Sequence, residues 1–241
     1  MEFARIRVLF KKEVKSLLTN WNILSICLVP VLFSFIYTNV FNGVETSEGI
    51  SQYEILYICL DINIIIIAGF MIAILIAEEK EKNTLRTLMF SGVSPLDFLT
   101  GKVIITFLVT EILNVLIFYI IGIDSVYLGE FILLTSLLLI IMIEIGATVG
   151  ISVKNQMAAG TIGTPIFIVF LIVPIFSRFS KSVEYVAGIL PNYNMDIIFR
   201  KMFSGGTIGM ADAKNMVVII IWIISSGIIF MQTYKIIGLD K

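Results

Sequence analysis

At 241 residues the chain is long enough for one or two water-soluble domains, but its composition excludes them. Apolar residues make up 58% of it and charged residues 15%, against about 25% charged in soluble domains, and surplus apolar surface on that scale calls for lipid. The net charge of −1 says little by itself. The absence of histidine excludes imidazole catalysis and His-ligated metal, and nucleic acid is not an expected partner.

The first twenty residues carry Phe3, Ile6, Phe10, Val14 and Leu17 at helical spacing, with Arg5, Lys11, Lys12 and Lys15 largely on the other side. Such a helix is expected to lie along the membrane surface, lysines at the anionic headgroups. A bilayer core about 30 Å thick takes about 20 apolar residues per helix. Six stretches qualify, at Asn22–Phe41, Tyr53–Ala77, Lys102–Ile123, Val126–Ser152, Ala158–Ser177 and Met216–Ile237. The first exceeds the usual apolar length of a signal peptide and has no A-x-A site after it, so it reads as a retained span. Cys27 and Cys59 each sit in an apolar run and read as small hydrophobes, not as a disulfide framework or a zinc site.

The second stretch holds Asp61 and Asn63. An Asp at mid-helix costs about 2.5 to 3.5 kcal/mol, whereas its ten Ile and three Leu return roughly 4 to 8 kcal/mol, so insertion wins. The carboxylate is then expected to face the bundle or a wet cavity. Glu111 and Asn114 in the third stretch, and Glu144 in the fourth, pose the same question, with pairing across helices favoured over substrate contact.

Between the second and third stretches lies a charged segment, residues 78–101. Glu78, Glu79 and Glu81 open it, interleaved with Lys80 and Lys82. Arg86 follows about two turns later, the order a helix dipole prefers. Leu85, Leu88 and Met89 form an apolar ridge that water does not require and that suits a groove on a soluble partner. Gly92 offers a stop, and Ser94-Pro95, with Asp97, starts the next helix. Further on, Gly146 and Gly150 give a G-x-x-x-G spacing, and Ala158, Ala159, Gly160 and Gly163 begin the fifth stretch, a pattern for close helix packing. Pro30, Pro165 and Pro174 permit kinks. Residues 178–215 form the longest connection.

Six spans place both termini on one side. With that side cytoplasmic, the inner segments carry twelve Lys and Arg and the outer segments five, all five in the 178–215 connection, which favours cytoplasmic termini.

Glu78-Glu79-Lys80-Glu81-Lys82, with Thr84, Leu85 and Leu88, then Ser91, Val93, Ser94, Pro95, Leu96, Leu99, Gly101 and Lys102, resembles the cytoplasmic signature of ABC transporter permeases of the type-2 exporter family. The family usually has Gly where Asn83 stands, and Asn also tolerates unusual backbone angles. The likeness extends over the whole chain. It implies a single transmembrane permease domain, 1–241, all-α, with six transmembrane helices, an N-terminal amphipathic interfacial helix (1–20) and re-entrant outer helices between spans five and six. Those would be broken near Pro191 and ended by Gly205 and Gly206.

The resemblance further implies a transport subunit in the cell membrane. Its coupling helix, Glu78, Glu79, Lys80, Glu81, Asn83, Thr84, Leu85, Arg86, Leu88 and Met89, would contact a cytoplasmic ABC ATPase present in two copies. A second permease copy, identical or a close paralogue, would complete the assembly. No G-x-x-x-x-G-K-[ST] loop occurs, so ATP and Mg are expected on the partner and no cofactor or metal on this chain. The aliphatic and aromatic spans suggest a hydrophobic or amphipathic cargo, a toxin or bacteriocin-type peptide first, a drug or lipid next. The competing classes are a proton-coupled carrier relaying through Glu111 and Glu144, which leaves the charged segment unexplained, and a lipid-modifying enzyme, for which no nucleophile or metal cluster is in place.

Overall fold

A computed structural model describes residues 14–15, 19, 21–41, 52–83, 95–206 and 209–237. The described residues are helical, with no strand. The interfacial helix expected over 1–20 falls almost wholly outside them, as does the stretch from Thr84 to Ser94.

Helix α1 is Trp21–Phe41 and contains Pro30. Helix α2, Gln52–Asn63, runs on through a π-helical segment, Ile64–Met71, into α3, Ile72–Glu81. Helix α4 spans Pro95–Ile121. After a 3₁₀ turn at Ser125–Tyr127, whose start is capped by the Asp124 carboxylate accepting from Val126 N at 3.0 Å, α5 runs Leu128–Ser152. Helix α6, Gln156–Phe176, is capped by Asn155, which accepts from Ala158 N at 2.8 Å. Two shorter helices follow, α7 (Lys181–Ala187) and α8 (Pro191–Phe203), then α9 (Ala213–Ile237).

Five of these rods are long and apolar enough to cross a membrane: Tyr53–Glu81, Leu99–Ile121, Ser125–Ser152, Gln156–Phe176 and Met210–Ile237. The apolar part of α1, Leu24–Val40, is shorter. The Tyr53–Glu81 rod is the centre of the bundle, with 72% of its apolar window buried against 11% for the rod that contains α9. Exposed Ile220, Ile221, Ile224 and Ile228 on α9 have no reason to face water and every reason to face acyl chains.

Small residues decide how the centre packs. A Cβ on Gly146 would lie 2.2 Å from the Gly69 carbonyl oxygen, and one on Gly150 would lie 2.7 Å from that of Ala73. The G-x-x-x-G spacing of α5 is therefore used as expected, to bring its backbone against the π segment and α3. Gly160, by contrast, meets nothing within 4 Å. Hydroxyls inside the rods serve themselves: Thr110, Thr148 and Ser152 each donate to the carbonyl four residues back.

The connection between α6 and α9 folds back onto the bundle instead of looping away. Helix α8 buries Met195, Ile198, Phe199 and Met202. Phe199 stacks on Tyr57 at 6.3 Å and on Phe131 at 5.6 Å between centroids, and Phe203 on Tyr53 at 5.0 Å. The break before α8 comes at Pro191, and Gly205 (φ +81°) closes it in a left-handed conformation that glycine tolerates.

Candidate functional site

The ionisable residues singled out in the sequence gather at the two ends of the Tyr53–Glu81 rod and in the layer between them.

At one end the charged run is built into the bundle. Glu79 pairs with the buried Lys102 of α4 at 3.3 Å. Lys80 donates its ammonium to the Ile151 carbonyl at the last turn of α5. Glu81 accepts from Gln156 N at the first turn of α6 at 3.0 Å. Two consecutive residues of opposite sign thus meet two helix ends of opposite sign, cation at a C-terminus and anion at an N-terminus, as the helix dipole requires. Glu78 pairs with Lys82 one turn on, which holds the Lys82 ammonium above its usual pKa. Asn83 takes φ +53°, so it does occupy the backbone region that glycine favours. Thr84, Leu85, Arg86, Leu88 and Met89 lie outside the described residues. Sequence reasoning missed Lys102 as a partner of this run. The signal was its place at the mouth of an apolar stretch, where a lone ammonium needs an anion.

In the middle layer, Asn63 donates to Asn114 Oδ1 at 2.7 Å and to the Thr110 carbonyl at 3.2 Å. Asn114 in turn donates to Glu111 at 3.0 Å, and Thr135 of α5 donates to the other Glu111 oxygen at 2.7 Å. Glu144 accepts from Ser226 of α9, where a Cβ on Gly227 would come within 3.1 Å of its carboxylate. Glu111 and Glu144 thus belong to separate networks, and both pair across helices with neutral groups.

At the far end of the rod, Glu54 binds Arg178 at 2.9 Å and Arg200 at 3.2 Å. Below this pair Asp61 Oδ2 accepts from Asn192 of α8 at 3.0 Å, and Asn192 also donates to the Phe170 carbonyl at 2.8 Å. Asp196, one turn beyond Asn192, is buried beside Asp61. Burial pushes the Asp196 carboxyl up to about 7, with Arg200 and Arg178 pulling the other way. Tyr57, Asp61, Asp196 and Arg200 border a cleft of about 560 Å³. The sequence singled out Asp61 but not Asn192, Asp196 or Tyr57. A buried Asp near a span end needs a partner at its own depth, and a connection that folds back is where one is found.

Among the described residues no group of three or more acids, cysteines or histidines is placed to hold a metal ion.

A family model described as ABC-2 family transporter protein matches residues 33–231. The chain belongs to the ABC-2 transporter family. No curated protein matches it. It is accordingly a multi-pass permease, the membrane subunit of an ABC transporter whose ATP hydrolysis takes place on a separate ATPase subunit.

Proposed function

We propose that this ABC-2 permease is the translocation half of an exporter, moved by an ATPase that grips the segment 78–101 from the cytosol. The observation that supports this best is the clamp at the end of α3. Through Glu79, Lys80 and Glu81, the residues leading into Thr84–Ser94 are tied to α4, α5 and α6 together. A push on that segment is then delivered to four rods at once, whereas a solvated hairpin would absorb it. The remainder of the reading follows from it. All of 1–241 acts as one permease domain with six spans and cytoplasmic termini; α1 is the first span, 1–20 an interfacial helix, and α7 and α8 the re-entrant pair within 178–215. Two ATPase copies carry the ATP and Mg, and a second permease, identical or a close paralogue, completes the pathway. The cargo is hydrophobic or amphipathic, a peptide in the first instance.

Glu79 is engaged inside the chain, so the clean test leaves it alone. Leu85→Asp combined with Leu88→Asp removes the apolar ridge without touching the clamp. Co-purification with the ATPase is expected to fall at least tenfold, with the thermal transition of the permease unchanged. Undiminished assembly of that double variant would overturn the docking surface.

A further inference from the structure

The cleft at the Glu54 end of the central rod has a chemical character that the coupling mechanism does not use. Its floor carries three side chains that are more than nine-tenths buried: Tyr57, Asp61 and Asp196, exposed by 1%, 5% and 7%. Each leaves an oxygen with no hydrogen-bond partner among the described residues, Tyr57 Oη, Asp61 Oδ1 and Asp196 Oδ1. Buried polar atoms are nearly always paired, and three orphans around one cavity are more than folding alone requires. All three residues border the same cleft of about 560 Å³, a volume suited to a small ligand or one side chain of a larger one.

The nearby cations act on the Asp196 carboxyl through space but leave the three oxygens without a hydrogen bond. Arg178 and Arg200 both turn to Glu54, at 2.9 and 3.2 Å, and Arg200 lies over the Tyr57 ring at 4.8 Å. Asn192 satisfies only the second Asp61 oxygen. What remains is three orphaned oxygens, two on carboxyls and one on a hydroxyl that can accept as well as donate, while both arginines border the cleft and direct their hydrogen-bonding contacts to Glu54. A divalent ion takes six or more oxygens, and the described residues offer no cluster of three acids here. A primary ammonium brings three N–H donors, the number of orphaned oxygens, and an alkyl stem for which Phe179, Ile175 and Tyr193 provide an apolar wall.

We propose that this cleft binds a primary ammonium group on an apolar stem, through Asp61, Asp196 and Tyr57. The inference deepens the proposed function, on which it rests for its meaning: the amphipathic cargo carries an amine, as a lysine side chain or a peptide N-terminus does.

The probe is decylammonium, added to the purified permease in nanodiscs, with decanol as the uncharged control for partition into lipid. Calorimetry is expected to show saturable binding of decylammonium alone, weakened about tenfold or more in Asp61→Asn and in Asp196→Asn and several-fold in Tyr57→Phe. Equal binding by decanol, or unchanged affinity in both Asn variants, overturns the proposal. Should an Asn variant fail to fold, the wild-type chain still decides the matter. Carbodiimide labelling of Asp61 and Asp196, read by mass spectrometry, is expected to slow at least fivefold with decylammonium and not with decanol. Labelling that decylammonium leaves unchanged overturns it as well. Neither readout involves the ATPase, so failure here is distinct from failure of the coupling mechanism, which co-purification tests.

Discussion

Asp196 shows how one buried side chain sets a pH dependence. Its carboxyl titrates near 7 in the folded chain and near 3.8 in an ordinary environment. The folded state therefore holds a proton that the unfolded state has lost between those values. Stability from this group is full below about pH 4 and declines as pH rises towards 7. The charged and titratable groups around it are Asp61, Tyr57, Arg200, Arg178 and Glu54, with Glu184 and Tyr193 on the wall of the same cleft. Asp196→Asn removes the titration. Its melting temperature is expected to exceed that of the wild type at pH 8 by more than at pH 5; an equal difference at both pH values would remove Asp196 from this role. Asp61 was legible in the sequence because a carboxylate inside an apolar run stands out. Asp196 was not, because it sits in a mixed segment, Pro191–Phe203, where Asp beside Arg and Lys looks like solvated surface. Its burial goes with Phe199 and Phe203 stacking on Tyr57 and Tyr53, contacts between residues about 140 to 150 positions apart.

The packing of α5 on the central rod depends on hydrogen atoms where other residues have methyl groups. Gly146→Ala would place a carbon 2.2 Å from a backbone oxygen that belongs to the rod itself, so one helix must move. Overpacking of this kind costs about 1 to 3 kcal/mol, and a lowered thermal transition in detergent checks it. Gly160→Ala, facing open space within α6, is expected to leave the transition unchanged or raise it slightly, as alanine favours the helix, and serves as the control. The glycine spacing was readable because its period is local. The π register at Ile64–Met71 was not, since IIIIAGFM gives no local signal separating one helical register from another.

The clamp makes a second prediction for these helices. Lys102→Met removes the buried cation that pairs with the partly buried Glu79, a loss of about 3 kcal/mol for a buried pair broken on one side. The double variant Glu79→Met with Lys102→Met is expected to recover much of that stability. If the double variant melts as low as Lys102→Met alone, the pair does not hold these helix ends together. The charges of the clamp were evident from sequence. Their destinations were not, because the ends of α5 and α6 that Lys80 and Glu81 meet lie some 70 positions further along.

For the whole molecule, the long rods were predictable because apolar runs of about 20 residues have few alternatives. Even so, helix and apolar run do not share their bounds: α3 continues to Glu81 where the apolar run ends at Ala77. Caps set those ends, and caps are polar. Two regions mark the ends of the Tyr53–Glu81 rod, a charged clamp and an acidic cleft, with Gly146 and Gly150 packed against the backbone between them. If force enters at the clamp, the rod carries it to the cleft along a packed, mostly buried path.

Whether force enters there is decided by who touches residue 85. A photo-crosslinking amino acid replaces Leu85 in one preparation and the exposed Tyr185 of α7 in another, each co-expressed with the ATPase and irradiated in intact membranes. A crosslink to the ATPase is expected from position 85 and none from position 185. A crosslink from position 185, or none from position 85 while the complex still purifies intact, would place the motor elsewhere and contradict the coupling mechanism.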